Sequence, residues 1–257
     1  IKRGQVKGSL DEGMKRQALN LGVKIYFNKT IPEKEADIVA RGPTVKRVFG
    51  IDRGIIFKTT HKDLSLALLN KKYNNKGYSF ILITKGYGCI ATCIEGDFSR
   101  INKYFEDSEK TLERLAHLKV EEPKACGGIG NFSLNGPYKK GKVLYTGEAA
   151  GIQDFMWGFG IRNAITSGYL AAKSIINKEA YERFAKDFFK NRLKASIVNR
   201  YLWIKAGKSD YGWLLDKMEK SGDLHKMLRS FYNFNLFQRI LYPFALNFCR
   251  KEYPNLD

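Results

Sequence analysis

The chain has 257 residues, of which 44% are hydrophobic and 28% charged, enough for a substantial core in one or two domains. No apolar run reaches the roughly 18 residues that span a bilayer, and four dispersed cysteines are too few for a disulfide scaffold. The formal net charge of +19 is spread along the chain, so we expect no nucleic-acid partner. A cation-rich composition and attraction to an anionic membrane surface remain as explanations.

The first predicted helix begins with a capping box, in which Ser9 is the N-cap and Glu12 closes the box. Gly22 is suited to the position just after the helix. The apolar residues between them recur at helical spacing: Leu10, Met14, Ala18 and Leu21. Residues 23–27 and 36–40 are predicted strands, and the second ends at a Gly-Pro pair.

Residues 47–138 predict a largely antiparallel sheet covered by one helix. The segments 54–59, 78–84 and 89–94 are rich in Ile, Phe, Tyr and Thr, and the last two flank a glycine-containing hairpin turn. Residues 97–118 carry apolar side chains at helical spacing. Cys89 and Cys93 would lie on one side of a strand, about 13 Å apart, so free thiols are expected. Three histidines give a metal site little support.

The most informative segment follows a short apolar strand at 143–146. It contains a turn with a carboxylate between glycines and a second glycine-rich turn, and it then enters a helix rich in Ala, Ser and Gly. Five glycines fall within the 22 residues 147–168. Tight turns and close helix packing explain such a pattern on their own. A cofactor explains it too, because a carboxylate can bind hydroxyls and a helix N-terminus presents free N–H groups. The residues concerned are Gly147, Glu148, Ala149, Ala150, Gly151, Gly158, Phe159, Gly160 and Ile161.

This segment resembles the second FAD motif of FAD-dependent oxidoreductases of the geranylgeranyl reductase type, within the aromatic-hydroxylase-like flavoprotein superfamily. Their motif reads Gly-Asp-Ala-Ala-Gly, a spacer, then Gly-x-Gly-Ile and a helix. Here position 148 is Glu instead of Asp, and the usual spacer proline is absent. The resemblance is specific over 141–176, moderate over 1–140 and thin after 180.

The resemblance implies a mixed α/β fold with FAD as cofactor. Its FAD-binding domain would combine residues 1–46 and 139–178, with a substrate-binding sheet at 47–138 and a helical region at 179–257. Glu148 would hold the ribityl hydroxyls, and the backbone of 158–161 would face the flavin ring. Lys7 would replace an arginine that the family places before its first helix. An apolar, isoprenoid-like substrate and NAD(P)H or ferredoxin as electron donor would follow.

The Gly-x-Gly-x-x-Gly unit that receives the FAD pyrophosphate in such proteins is absent. The nearest run, at 127–130, precedes residues that break a helix. Since the chain also begins with Ile1, we expect about a hundred family residues to be missing, by the size of a βαβ unit and its following strands. We expect these 257 residues alone to bind FAD weakly and to be inactive.

The C-terminal third is predicted to be helical and basic. Residues 231–248 hold seven aromatic side chains and one charge, Arg239, while Pro243 is expected to interrupt any helix. A packed terminal helix, a wall for an isoprenoid chain, and an interfacial anchor flanked by Arg250 and Lys251 are the alternatives.

Three functions remain open for a cytoplasmic protein with or without peripheral membrane contact. The leading one is reduction of carbon–carbon double bonds in a prenyl lipid. A flavin monooxygenase or dehydrogenase acting on another apolar substrate is the second, since the motif does not choose the chemistry. A non-catalytic module that binds membrane surfaces is the third. No side chain can be named as a catalytic acid or base.

Overall fold

The computed structural model describes residues 2–4, 6–43, 48–118, 120–207, 211–254 and 256, except for the side chain of residue 213. The chain forms two compact units, Ile1–Ala36 and Asp37–Asp257. The predicted boundary between 46 and 47 lies outside the described residues. The predicted boundaries at 138/139 and 178/179 stay predictions.

The first unit contains helix α1 (Leu10–Asn20) and a 3-10 turn (Glu33–Glu35). The Ser9 hydroxyl accepts the Glu12 N–H at 3.0 Å, as predicted, while the Glu12 carboxylate accepts the N–H of Gly8 instead of that of Ser9. No residue of α1 is buried, so its apolar stripe does not form a core within this unit.

The strand predicted at 23–27 is wrong, because these residues are irregular and largely exposed. β-branched and aromatic residues favour strands mainly because they suit a half-buried sheet surface. Among the described residues of the first unit there is no strand for this segment to pair with. Its backbone therefore has no ladder to join.

The second unit contains a three-stranded sheet of order β1-β8-β7. Strand β1 (Ile38–Val39) pairs in parallel with β8 (Val143–Tyr145), and β7 (Lys139–Lys140) pairs antiparallel with β8. All three residues of β8 are buried. The predicted strands at 36–40 and 143–146 therefore form side by side in shorter versions.

A five-stranded antiparallel sheet follows, of order β3-β4-β5-β2-β6. Its strands are β2 (Val48–Lys58), β3 (Leu64–Leu68), β4 (Tyr78–Thr84), β5 (Tyr87–Glu95) and β6 (Lys124–Asn131). The three predicted strands are present, whereas β3 and β6 were not predicted. The glycine-rich run at 127–130 lies in β6, at the sheet edge, and not in a phosphate-binding loop.

Helix α2 (Ile101–Ala116) covers one face of this sheet, as predicted. Alternate strand residues point toward it and form an apolar core with the buried face of the helix. The buried members of this core are Ile55, Phe57, Ile81, Ile83, Ile90, Phe105, Leu112 and Ala116. The opposite sheet face is thus left for other contacts.

The rest of the unit is helical, as predicted for the C-terminal region. Its helices are α3 (Ile161–Ile176), α4 (Tyr181–Ala206), α5 (Gly212–Glu219), α6 (Leu224–Ser230) and α7 (Leu236–Glu252). Within the described part of the chain, no helix is long and apolar enough to cross a membrane.

The expected interruption at Pro243 is wrong, since α7 continues through it. An internal proline costs a helix about 3 kcal/mol. This helix begins in a complete capping box at Asn235, and it packs along α4 through the buried residues Ala245 and Cys249. Tertiary packing thus outweighs the local penalty.

Candidate functional site

The strand-turn-helix predicted from the sequence is present in the second unit. Strand β8 leads into a 3-10 turn, Gly147–Ala150, and α3 begins at Ile161. Gly147 has φ +57°, and a Cβ there would lie 3.1 Å from the Cβ of Ala164. The Gly147 N–H donates to the Ser167 hydroxyl at 2.9 Å. The small residues of α3 therefore let the helix approach the end of the strand.

The carboxylate of Glu148 lies between two glycines. Its Oε1 is 3.9 Å from where a Cβ on Gly160 would stand, and its Oε2 is 4.0 Å from the same point on Gly42. The segment after β1 and the start of α3 thus meet at this carboxylate. A side chain on either glycine would reduce the space beside this carboxylate.

The spacer between the two glycine turns is held by side-chain amides. Gln153 accepts the N–H of Asn131 at 2.7 Å and donates to the carbonyl of Gly158 at 2.6 Å. The Asn131 side chain donates to the Glu148 carbonyl at 2.9 Å. The end of β6 therefore sets the position of both turns.

The N-terminus of α3 is open to a ligand. Gly160 is its N-cap, and no capping side-chain bond forms at this end in the described chain. The first N–H groups of a helix have no intrahelical acceptor, and the helix dipole is positive there. The exposed ring of Phe159 lies beside this end. The arrangement can stabilise negative charge on a ring edge placed against it.

The predicted site residues fall into two groups. Residues 147–151 and 158–161 lie together in the second unit, and Ala149 and Ala150 are buried backbone positions of the turn. Lys7 belongs to the first unit, where its carbonyl accepts the Lys2 ammonium at 2.8 Å. Its place at the cofactor stays a prediction.

The spacer also contains a buried carboxyl, that of Asp154, which the sequence alone did not single out. Burial raises the pKa of Asp154 to about 6, although the N–H of Trp157 and the hydroxyl of Tyr232 both favour its charged form. The Trp157 N–H bond is 2.7 Å long. Its sequence signal was a polar pair, Gln-Asp, inside an apolar glycine-rich spacer.

The sheet face turned away from α2 carries a polar row beside this spacer. Direct cross-strand pairing aligns Tyr78, Cys93, Asp52 and Gly128 on neighbouring strands. Burial raises the pKa of the Asp52 carboxyl, while the N–H of Gly128 lowers it. Burial and the nearby Asp52 raise the pKa of the Cys93 thiol to about 12. Burial therefore shifts both groups toward their protonated forms.

Tyr78 joins this row to the spacer. Its hydroxyl donates to the carbonyl of Trp157 at 2.6 Å, and the two rings meet edge to face at 5.6 Å. Desolvation raises the pKa of the Tyr78 hydroxyl, so it stays a donor. The next two cross-strand rows on this side of the sheet are more apolar. Together with the polar row they form a surface that we name the open face. Its residues are Tyr78, Phe80, Leu82, Asp52, Ile56, Cys89, Cys93 and Cys126.

The thiols on the open face are free, as predicted. Cys126 pairs with Gly54 and Cys89 with Ile56, so the two thiols interact diagonally across β2, where Gly54 has no side chain. The hydrogen bond between them raises the pKa of Cys89 and lowers that of Cys126. In the described chain, no group of three or more His, Cys, Asp or Glu residues could hold a metal ion.

A buried cation on α4 ties the spacer to the sheet. Arg200 pairs with Glu95 at the end of β5 and donates to the carbonyls of Met156 and Lys76 at 3.2 and 2.7 Å. Tyr253 donates its hydroxyl to the same carboxylate. The network joins the sheet, the spacer and the C-terminus, and only the fold brings its members together.

No protein-family model and no curated protein matches this chain. Solved structures do share its fold. A geranylgeranyl bacteriochlorophyll reductase-like protein from Thermoplasma acidophilum is 14% identical with a TM-score of 0.54, covering 82% of this chain and 54% of that one. The flavin-dependent brominase Bmp2 is 17% identical with a TM-score of 0.53, covering 79% of this chain and 56% of that one.

Identities this low show a shared fold alone. The mixed α/β architecture with its antiparallel sheet, as predicted, is shared with these two structures. The chain spans just over half the length of these two structures. Membership of the geranylgeranyl reductase family and a missing N-terminal unit stay predictions.

Proposed function

We propose that this chain is the flavin-ring and substrate part of an FAD-dependent oxidoreductase that reduces carbon–carbon double bonds of an isoprenoid-like substrate. The observation that carries the proposal is the Glu148 carboxylate held between Gly42 and Gly160, beside the uncapped N-terminus of α3. A carboxylate to bind hydroxyls and helix N–H groups to bind an anionic ring edge are the two features that a flavin needs here.

FAD, when bound, supplies the two-electron redox chemistry, with NAD(P)H or ferredoxin as the proposed electron source. Glu148 binds and orients the ribityl hydroxyls. The N–H groups at the start of α3 stabilise negative charge at the ring edge, and Gln153 and Asn131 hold both turns in position. Lys7 is retained as a proposed additional contact.

The open face provides the substrate side. Phe80, Leu82 and Ile56 offer apolar contact to a prenyl chain. Saturating an alkene needs a proton as well as a hydride. Asp52 is the carboxyl on the same sheet face as these apolar residues, and burial raises its pKa. We assign the proton to a carboxyl oxygen of Asp52, which Gly128 orients through its N–H.

Equilibrium dialysis with FAD tests the cofactor site in a protein completed with the expected pyrophosphate-binding unit, since the 257 residues alone are expected to bind FAD weakly. Glu148→Ala should weaken binding about ten- to a hundredfold, since a charge-assisted hydrogen bond contributes roughly 1.5–3 kcal/mol. Gly160→Val should weaken binding through its side chain beside the carboxylate. Arg162→Ala, on the exposed side of the first turn of α3, is the matched control and should have little effect. Equal affinity of folded Glu148→Ala, Gly160→Val and parent would contradict the site.

Because the 257 residues alone are expected to be inactive, the reaction is tested in a protein completed with the expected pyrophosphate-binding unit, by anaerobic consumption of NAD(P)H coupled to loss of an alkene. Asp52→Asn should lower the turnover rate and leave FAD affinity unchanged. Oxygen-dependent turnover would instead favour a flavin monooxygenase, and turnover without alkene loss would favour a dehydrogenase on another apolar substrate.

A further inference from the structure

Helix α7 has one face buried on α4 and one face without cover. On the buried side, the Gln238 amide donates to Asn199 at 3.0 Å, and Ala245 and Cys249 are fully buried. On the other side, four large apolar residues point into solvent. They form the outer face of α7: Leu236, Phe237, Ile240 and Phe244, which are 74%, 59%, 61% and 67% exposed.

The spacing of these residues makes the outer face continuous. Leu236, Ile240 and Phe244 follow each other at intervals of four residues, and Phe237 lies beside the first two. Contiguous exposed apolar surface of this kind marks an interaction site in most soluble domains. Of the seven aromatic residues at 231–248, only Phe237 and Phe244 are largely exposed, so these two belong to the outer face.

The charges on and before α7 indicate what kind of partner the outer face binds. Between Asp223 and Glu252 the chain has no carboxylate, but it carries five cations: Lys226, Arg229, Arg239, Arg250 and Lys251. Arg239 is exposed and is fixed beside the helix start by a 3.1 Å bond to the Phe234 carbonyl. An open depression of about 710 Å³ in this segment is lined by Asp223, His225, Lys226, Arg229, Ser230 and Asn233.

We propose that the outer face of α7 inserts into the interface of an anionic lipid bilayer, with the helix lying in the membrane plane and its cations at the headgroups. An amphipathic helix with large apolar residues on one side and cations along its flanks binds such a surface through both contributions. A second copy of the chain would use the apolar face but would bring like charges together. This inference does not depend on the proposed flavin chemistry.

Vesicle co-sedimentation of the full chain tests the proposal. Binding is expected to vesicles of phosphatidylcholine mixed with phosphatidylglycerol, to be much weaker to phosphatidylcholine alone, and to fall at high salt. Phe237→Ser/Phe244→Ser should lower the partition coefficient at least about tenfold. Lys226→Gln/Lys251→Gln should lower it about fivefold per cation, and only for the anionic vesicles.

Ile165→Ser/Ile176→Ser is the matched control, because both residues are exposed apolar positions on a different helix, α3. It should bind like the parent. An Ile240→Trp variant gives a second measurement, since its added fluorescence should be quenched by brominated phosphatidylglycerol.

Equal binding to neutral and anionic vesicles would overturn the proposal. So would unchanged binding of Phe237→Ser/Phe244→Ser, or an Ile240→Trp signal insensitive to brominated lipid. Concentration-dependent self-association abolished by the double serine change, without vesicle binding, would assign the outer face to a second copy and also refute the proposal.

Discussion

Replacing Arg200 with methionine should destabilise the second unit strongly. Its guanidinium is 1% exposed and its partner Glu95 7% exposed, so the variant leaves a buried carboxylate without its cation. Removing one partner of a buried ion pair costs about 3–5 kcal/mol. The carbonyls of Met156 and Lys76 lose their donors as well. Because a domain of this size loses about 2–4 °C per kcal/mol, the melting temperature should fall by about 6–20 °C.

Urea denaturation followed by circular dichroism measures this effect, with Glu252→Gln as the matched control. Glu252 pairs with Lys76 at 2.5 Å, but these side chains are 36% and 32% exposed, so its loss should cost less than about 1 kcal/mol. The double change Arg200→Met/Glu95→Leu should recover much of the loss, since it removes the orphaned charge. A cost for Arg200→Met no greater than that for Glu252→Gln would refute the reasoning.

Three further predictions concern the spacer and its turns. Burial raises the pKa of Asp154 from 3.8 to about 6, so stability should fall by roughly 2–3 kcal/mol as the pH rises between those values; Asp154→Asn should lose this contribution to the pH dependence of urea unfolding. Gly147→Ala should destabilise through its positive φ and its contact with α3, whereas Gly168→Ala, with open space around it in the helix, should stabilise by roughly 0.5–1 kcal/mol in thermal melts. Tyr78→Phe keeps the ring contact with Trp157 but loses a hydrogen bond, so it should lower the unfolding free energy by about 0.5–1.5 kcal/mol in urea; no change would mean that the hydroxyl is equally well solvated elsewhere.

The strands and turns recognised from the sequence are those whose local preference and tertiary role agree. β4 and β5 are rich in β-branched and aromatic residues, and both lie inside the sheet. β6 carries three glycines, which disfavour strands, and it forms because it pairs along most of β2. β3 is made of leucine, serine and alanine, which give no strong strand signal. In β3 and β6, pairing with the neighbouring strand therefore determines the structure.

The candidate site likewise contains residues with a local sequence signal and residues without one. The glycine turns around Glu148 were recognisable because their spacing is local. Asp52, Tyr78 and Arg200 had no local signal, since each acquires its role from residues far away in the chain. Burial of a charge, which gives Arg200 its importance, is a property of packing and not of sequence spacing.

The pairing of β1 with β8 joins residues more than a hundred positions apart. The long intervening chain nevertheless leaves and returns at nearly one point, because Val48 at the start of β2 pairs with Asn131 at the end of β6. Pairing within the five-stranded sheet already brings the two ends of this intervening chain together. The pairing of the two-residue β1 with β8 therefore does not have to offset the whole entropic cost of closing that loop.

The five-stranded sheet is therefore an insertion between β1 and β8 whose two ends lie close together. Of its two edge strands, β6 ends at Asn131, which holds the turn at Glu148, whereas β3 makes none of the contacts described around Glu148. The paired ends Val48 and Asn131 are also the points at which a protein engineer could cut this chain and join in a different sheet.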